Sequence, residues 1–292
     1  MASAFKRGTS LIAIIAAAMV ATAARAEPVQ IKPGLQRLNG NLELPKGKTV
    51  ADSEVLVVVH GMLSHYGQET IAALQKNLAT RGRATLAINL SLGVDDRKGP
   101  RACNVVHDYA IAGAQREIAA WVEWLYGQRA RAVDILGFSR GGAQVAAIGP
   151  ELPNVRRVVL MAPSFANSVE IAQAYEKTYG HPLKAELDAA RKNPLQEFTT
   201  DFLNCKQAKV LGATLLDAYT ELPPRLAART GHPTLVVIAG KDEIVPGLDA
   251  KLPTDVRKVT IEGASHFFPD LYGEDAADAV AKFLTREPPV TK

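Results

Sequence analysis

The chain has 292 residues, 47% hydrophobic, 22% charged and 6% aromatic, with a formal net charge of +4. Three of those positive charges, Lys6, Arg7 and Arg25, lie in the first 26 residues, which hold no acid, so the remainder carries about +1. A near-neutral body with so few aromatics argues against a nucleic-acid partner, and no internal repeat or low-complexity segment points to a fibrous or repeat architecture.

The N-terminus reads as a leader. Lys6 and Arg7 precede an apolar run from Leu11 to Ala24, and Ala24-Arg25-Ala26 has the small-x-small pattern of a cleavage site. The run is short for a membrane span; an uncleaved anchor is the alternative. No Cys follows it, so a lipid anchor is not expected. Removing residues 1–26 leaves 266 residues, enough for one large α/β domain with an insertion. An exported protein, periplasmic or secreted, is the expectation.

Residues 27–49 are polar and punctuated by Pro and Gly, with a weak edge strand suggested by Leu42 and Leu44. Val55 to Val59 is a continuous β-branched run, the signature of a strand buried on both faces of a parallel sheet. It ends at His60-Gly61-Met62-Leu63-Ser64-His65-Tyr66-Gly67. Ile71, Leu74 and Leu78 carry helical spacing over Thr70 to Leu78, and Arg81-Gly82 stops that helix. Ala84 to Leu90 is the next buried strand. The loop from Ser91 to Asp108 is long for a compact domain, which suggests function or disorder. Tyr109 to Tyr126 forms an amphipathic helix with Ile111, Ile118, Trp121, Val122 and Leu125 on its buried face. Trp121 and Trp124 are read there as packing residues.

Val133-Asp134-Ile135-Leu136-Gly137-Phe138-Ser139-Arg140-Gly141-Gly142 is the most informative stretch. An apolar run enters Gly-x-Ser-x-Gly, and small residues follow it into a helix. A Ser on so sharp a turn is held at strained backbone angles, and residues two positions either side must lack a Cβ. Gly137 and Gly141 meet that need. The strain lifts the Ser139 hydroxyl to where a base can reach it, and the Arg140 N–H at the helix start points where an oxyanion would form. A tight connection without chemistry is the alternative.

Val155 to Met161 is a further buried strand. Residues 164–231 break the alternation: Ser168 to Tyr179, Pro182 to Lys192 and Cys205 to Thr220 read as helices, with no convincing strand. Thr234 to Ala239 resumes the sheet, Val256 to Ile261 is the last strand, and Asp275 to Leu284 the closing helix. Such alternation implies a mostly parallel sheet with helices on both faces.

Four matches in order resemble the α/β-hydrolase superfamily: His60-Gly61, the Ser139 turn, Gly240-Lys241-Asp242 and Ser265-His266. They span about Glu54 to Phe283. The resemblance implies an α/β-hydrolase core over 27–163 and 232–292, with 164–231 inserted as a helical lid. It also implies a serine hydrolase in which Ser139 is the nucleophile, His266 the base and Asp242 the acid, since the acid and base follow the Ser in that order. Asp242 is favoured because the position after the preceding strand reads Ala162-Pro163-Ser164, without a carboxylate. Glu243 would be displaced by one residue, and Asp270 reads as a solvated charge. The backbone N–H groups of Met62 and Arg140 would form the oxyanion hole. His-Gly-Met departs from the His-Gly-Gly-Gly of some lipases. His60 is read as structural. Ser64, His65, Tyr66, Asp95, Asp96, Arg97 and His107 could touch substrate or simply satisfy local backbone.

Hydrolysis of a carboxylic ester is the default activity, and amide, thioester or acyl-transfer chemistry would use the same groups. A non-catalytic binding or accessory protein on the same fold is the alternative. No metal motif of the His-Glu-x-x-His kind, no Gly-x-Gly-x-x-Gly and no phosphate-cradling loop occurs, so neither metal nor cofactor is expected. Cys103 and Cys205, an even pair in an exported chain, permit one disulfide over the site; two independent buried thiols are the alternative.

Overall fold

The computed structural model describes residues 25–152 and 154–285. The expected leader, residues 1–26, lies outside the described residues except for Arg25 and Ala26, which open the first strand.

Along the chain the elements are β1 (Arg25–Ile31), β2 (Leu38–Leu44), β3 (Glu54–Val59), α1 (Glu69–Thr80), β4 (Ala84–Ile88), α2 (Ile111–Gly127), β5 (Ala132–Phe138), α3 (Arg140–Ile148) and β6 (Val155–Met161). An inserted segment follows with α4 (Ser168–Tyr179), α5 (Leu183–Lys192), β7 (Glu197–Phe202), β8 (Cys205–Leu211) and α6 (Gly212–Ala218). The chain closes with β9 (Thr234–Ala239), α7 (Leu248–Lys251), β10 (Arg257–Ile261) and α8 (Leu271–Thr285).

Eight strands form one sheet in the order β1-β2-β4-β3-β5-β6-β9-β10. The pairs from β4 to β10 are parallel, and β1 and β2 close one edge as an antiparallel pair. Order reverses at β3, with β4 on one side and β5 on the other. In open α/β sheets a ligand crevice forms at such a switch point, beyond the carboxyl ends of the strands.

The continuous apolar strands are explained by burial on both faces. Val55, Val57, Val59, Ile135, Val158 and Val236 share one core with Ile118, Trp121 and Leu125 of α2. Leu56, Val58, Leu136, Phe138, Val159 and Val237 share the other with α1 and α8 residues such as Leu74, Leu78, Val280 and Phe283. Trp121 is fully buried and meets Trp124 edge-on, as packing residues.

The inserted segment differs from its sequence reading. The expected helix over Cys205 to Thr220 is instead a strand followed by α6, so 164–231 is not purely helical. β7 and β8 form an antiparallel hairpin in which Phe202 faces Cys205 across Leu203-Asn204. Both turn residues have positive φ, 44° and 69°, as a two-residue hairpin turn requires. The hairpin wins because pairing buries Phe202, Cys205, Ala208 and Val210 in one small core with Ala190, Leu215 and Ala218. The segment thus carries its own core, separate from the two that sandwich the sheet.

Loop 91–108 is built against that hairpin. His107 N–H donates to the Lys209 carbonyl at 2.7 Å, and Leu211 N–H donates back to His107 at 3.0 Å. Cys103 and Cys205 are joined in a disulfide that spans 102 positions. Closing a loop of that length stabilises by about 4–5 kcal/mol in the chain-entropy description. A Cys103→Ser, Cys205→Ser double variant is therefore expected to unfold at a clearly lower urea concentration than the oxidised parent. Reduction of the parent should reproduce that shift, and unchanged midpoints in both cases would refute the assignment.

Candidate active site

Ser139 stands between β5 and α3 at φ 53°, ψ −122°. A side chain pays for positive φ, and the turn is held there by packing. A Cβ on Gly137 would lie 2.4 Å from the Gly141 carbonyl oxygen, and one on Gly141 would lie 2.3 Å from that of His60. No side chain fits at either position. The Ser139 N–H donates to Met161 at 2.9 Å, and the Ser139 carbonyl accepts from Ser164 N–H at 3.0 Å, tying the turn to β6.

His266 comes from the loop after β10 and is 1% exposed. Its Nε2 lies 2.9 Å from Ser139 Oγ. Its Nδ1 lies 2.9 and 3.0 Å from the two Asp242 carboxylate oxygens. Asp242 sits just past β9, and its Oδ1 accepts the N–H groups of Ile244 and Val245 at 2.9 and 2.7 Å. Burial pushes the Asp242 pKa up. The His266 hydrogen bond, the Val245 and Ile244 N–H bonds and the imidazolium charge outweigh it, so the carboxyl lies below its ordinary value. Phe138 and Phe267 flank the imidazole, each with ring centres 5.2 Å away. The structure therefore brings Ser139, His266 and Asp242 into one hydrogen-bonded chain.

The two loops bearing Asp242 and His266 brace one another. Lys241 N–H donates to Ala264 at 2.8 Å, and His266 N–H donates to the Glu243 carboxylate at 3.1 Å. Glu243 thus touches the backbone of His266, not its ring. Asp270 stays at the exposed surface.

Arg140 opens α3, so its N–H has no intrahelical acceptor. A Cβ on Gly61 would sit 3.3 Å from Ser139 Cβ, which brings the His60-Gly61-Met62 loop alongside the hydroxyl. Among the described residues neither the Met62 nor the Arg140 N–H reaches a protein acceptor.

The sequence did not reveal how that loop is held. His60 is buried; its Nδ1–H donates to the Gly61 carbonyl at 2.8 Å, and Nε2 accepts from Arg97 Nη2 at 2.8 Å and Leu90 N–H at 3.3 Å. Arg97 also donates to the Leu90 and Ser64 carbonyls at 2.8 and 2.7 Å. It is 6% exposed. The sequence left Arg97 as a residue that touches substrate or satisfies local backbone; it does the second, and in doing so clamps loop 91–108 to the loop after β3. Asp95 and Asp96 turn outward to Arg37. His65 Nδ1 accepts from the neighbouring Gly67 N–H, and the Tyr66 N–H donates to the Asn89 side chain. His107 is buried against Phe202 in the insertion. Among the described residues no group of three or more His, Cys, Asp or Glu is arranged to hold a metal ion.

Burial first, and the Arg97 charge second, lower the His60 pKa to about 3. An unfolded His titrates near 6.5. Between those values the unfolded chain binds one more proton than the folded one, so stability rises with pH. The contribution is complete above pH ~6.5 and is lost as pH falls toward 3, at up to about 1.4 kcal/mol per unit. Urea unfolding of the parent is expected to show this acid loss, and a His60→Asn variant a shallower one. Equal slopes would show that His60 is protonated in the folded protein.

A cavity of about 230 Å³ opens between this site and the insertion, with Met62, Arg140, Ser164, Tyr175 and Tyr219 in its lining. A larger one of about 800 Å³ lies on the far side of Arg140, between α2, α6 and residues 33–38.

A family model described as the alpha/beta hydrolase family matches residues 56–283. No curated protein matches the sequence. Among solved structures, Est1E from Butyrivibrio proteoclasticus with ferulic acid bound superposes with a TM-score of 0.64 at 22% identity, covering 88% of this chain and 97% of that one. A dienelactone hydrolase from Anabaena variabilis gives 0.55 at 18%, covering 91% and 100%. An esterase from Pyrococcus furiosus gives 0.59 at 14%, covering 90% and 91%. At these identities the structures are alike in fold.

Proposed function

The chain belongs to the alpha/beta hydrolase family, and on that premise we propose that it is an exported serine hydrolase that cleaves carboxylic esters. The observation that carries this reading is the hydrogen-bonded chain from Ser139 Oγ through His266 to Asp242, on a turn that holds Ser139 at φ 53°.

A free Ser hydroxyl is a weak nucleophile and needs a base. Ser139 Oγ attacks the acyl carbonyl while His266 Nε2 takes its proton. Asp242 holds Nδ1–H and stabilises the imidazolium, as the triad logic requires. The carbonyl oxygen becomes an oxyanion facing the Arg140 and Met62 N–H groups, each such donor being worth roughly 10²–10³ in rate. The C–O bond to the alcohol breaks, and His266 returns the proton to that oxygen. Water then attacks the acyl-enzyme, gives its proton to His266, and the carboxylic acid leaves as Ser139 recovers its hydrogen.

Residues 164–231, helices and hairpin together, serve as the lid over this site, with loop 91–108 pinned to them by the disulfide. Periplasmic or secreted location fits the Lys6-to-Ala26 leader pattern and the disulfide, which persists in oxidising compartments. Among the described residues no helix is long and apolar enough to cross a membrane.

A cavity of about 230 Å³ is small beside typical ligand pockets. Purified protein is therefore expected to hydrolyse p-nitrophenyl acetate and butyrate with higher kcat/KM than the palmitate ester. The reverse order would make it a lipase, and no turnover of any ester by folded protein would favour the binding-protein reading.

A further inference from the structure

Arg140 contributes more than its backbone. Its side chain lines both the 230 Å³ and the 800 Å³ cavities, one residue along the chain from Ser139. A guanidinium carries five N–H donors, yet among the described residues this one makes a single hydrogen bond, from Nη2 to the Ala218 carbonyl at 2.8 Å.

Three other arginines use more of their donors. Arg97 donates to the Leu90, Ser64 and Gly99 carbonyls and to His60. Arg101 donates to the Leu92, Ala102 and Val106 carbonyls. Arg156 forks onto Glu54 and Asp134. Arg140 has no carboxylate within ion-pair distance among the described residues. Asp217, whose charge acts on it after that of Tyr109, gives its Oδ2 to Ile111 N–H at 2.8 Å. Desolvation lowers the Arg140 pKa, as it does those of Arg97 and Arg101, so what sets Arg140 apart is its unused donors beside two cavities.

Arg140 is half-buried, and its free N–H donors face the two cavities, where an incoming anion can reach them. We propose that the Arg140 guanidinium binds a carboxylate on the substrate, so that the site takes esters of acids bearing a second, ionised carboxyl group. This rests on the serine-hydrolase reading above and narrows its substrate class. The planar fork meets a carboxylate through two parallel N–H···O bonds, and Arg140 follows the nucleophile directly in the chain. The ester reaction is unchanged: the anchored group neither gains nor loses a bond.

The probes are p-nitrophenyl hydrogen glutarate and its neutral monoamide analogue, nearly equal in size. The parent should favour the anionic probe at least tenfold in kcat/KM, chiefly through KM. Arg140→Met, and Arg140→Gln, which keeps a donor for the Ala218 carbonyl, should each reduce that ratio at least tenfold. If Arg140 only props Ala218, both probes slow together and the ratio stays, which overturns the proposal.

Binding to Ser139→Ala, measured calorimetrically, decides the matter without turnover. The anionic probe should bind at least tenfold tighter than the amide, and the double variant with Arg140→Gln should lose the difference. Equal affinities overturn the anion site while leaving the hydrolase reading intact. Absence of turnover by the parent on any ester strikes the hydrolase reading and leaves the binding result to decide the anion site.

Discussion

Replacing Ser139 with Ala is expected to lower kcat for p-nitrophenyl ester hydrolysis by about 10⁵–10⁶, the loss typical when a triad nucleophile is removed. The change deletes one oxygen. The rest of the turn is held by the Ser139 N–H bond to Met161, the Ser164 N–H bond to the Ser139 carbonyl, and the close approach of Gly137 and Gly141. Folding should therefore survive, and the unfolding midpoint should stay near that of the parent, because Ala keeps the Cβ and the same backbone turn. Steady-state rates and unfolding midpoints measured on the same preparation separate the two effects. His266→Ala should cost a similar factor, and combining the two should add little, because the residues act as one unit. Additive losses would mean that Ser139 and His266 work on different steps.

Asp242→Asn should lower kcat by about 10⁴ with little change in KM. The Asn carbonyl oxygen can still accept the Ile244 and Val245 N–H groups that now bond Asp242 Oδ1. The amide NH₂ then faces His266 Nδ1, which must become an acceptor, and the imidazole proton moves to Nε2. In that tautomer Nε2 cannot take the Ser139 proton. Glu243→Gln is the informative control, because among the described residues Glu243 bonds only the His266 backbone N–H. Its rate should stay near that of the parent. If Glu243→Gln were the more damaging change, the acid assignment would belong to Glu243.

The sheet and the site were largely legible in the sequence, for physical reasons. Strands buried on both faces, such as Val55 to Val59, cannot hide their composition. The sharp turn at Ser139 needs glycines because a Cβ at Gly137 or Gly141 would strike backbone. The Cys103 and Cys205 pair was readable from its even count and is joined in the structure. The β7–β8 hairpin was not readable. Cys205, Ala208 and Val210 also suit a helix, and only the positive-φ turn at Leu203-Asn204 and pairing with β7 decide between them. Arg97 was illegible for another reason. Its neighbours Asp95 and Asp96 are solvent-facing, and nothing local reveals that the chain turns between them to bury a guanidinium against His60. Arg140 was visible only through its backbone role; that its side chain lines two cavities depends on the insertion folding over it.

The most direct test is to treat the purified protein with a fluorophosphonate probe, digest it and locate the adduct by mass spectrometry. One adduct is expected, on the peptide carrying Ser139, and none in the Ser139→Ala or His266→Ala variants. Folded protein that takes up no probe, or that is labelled equally after Ser139→Ala, would contradict it.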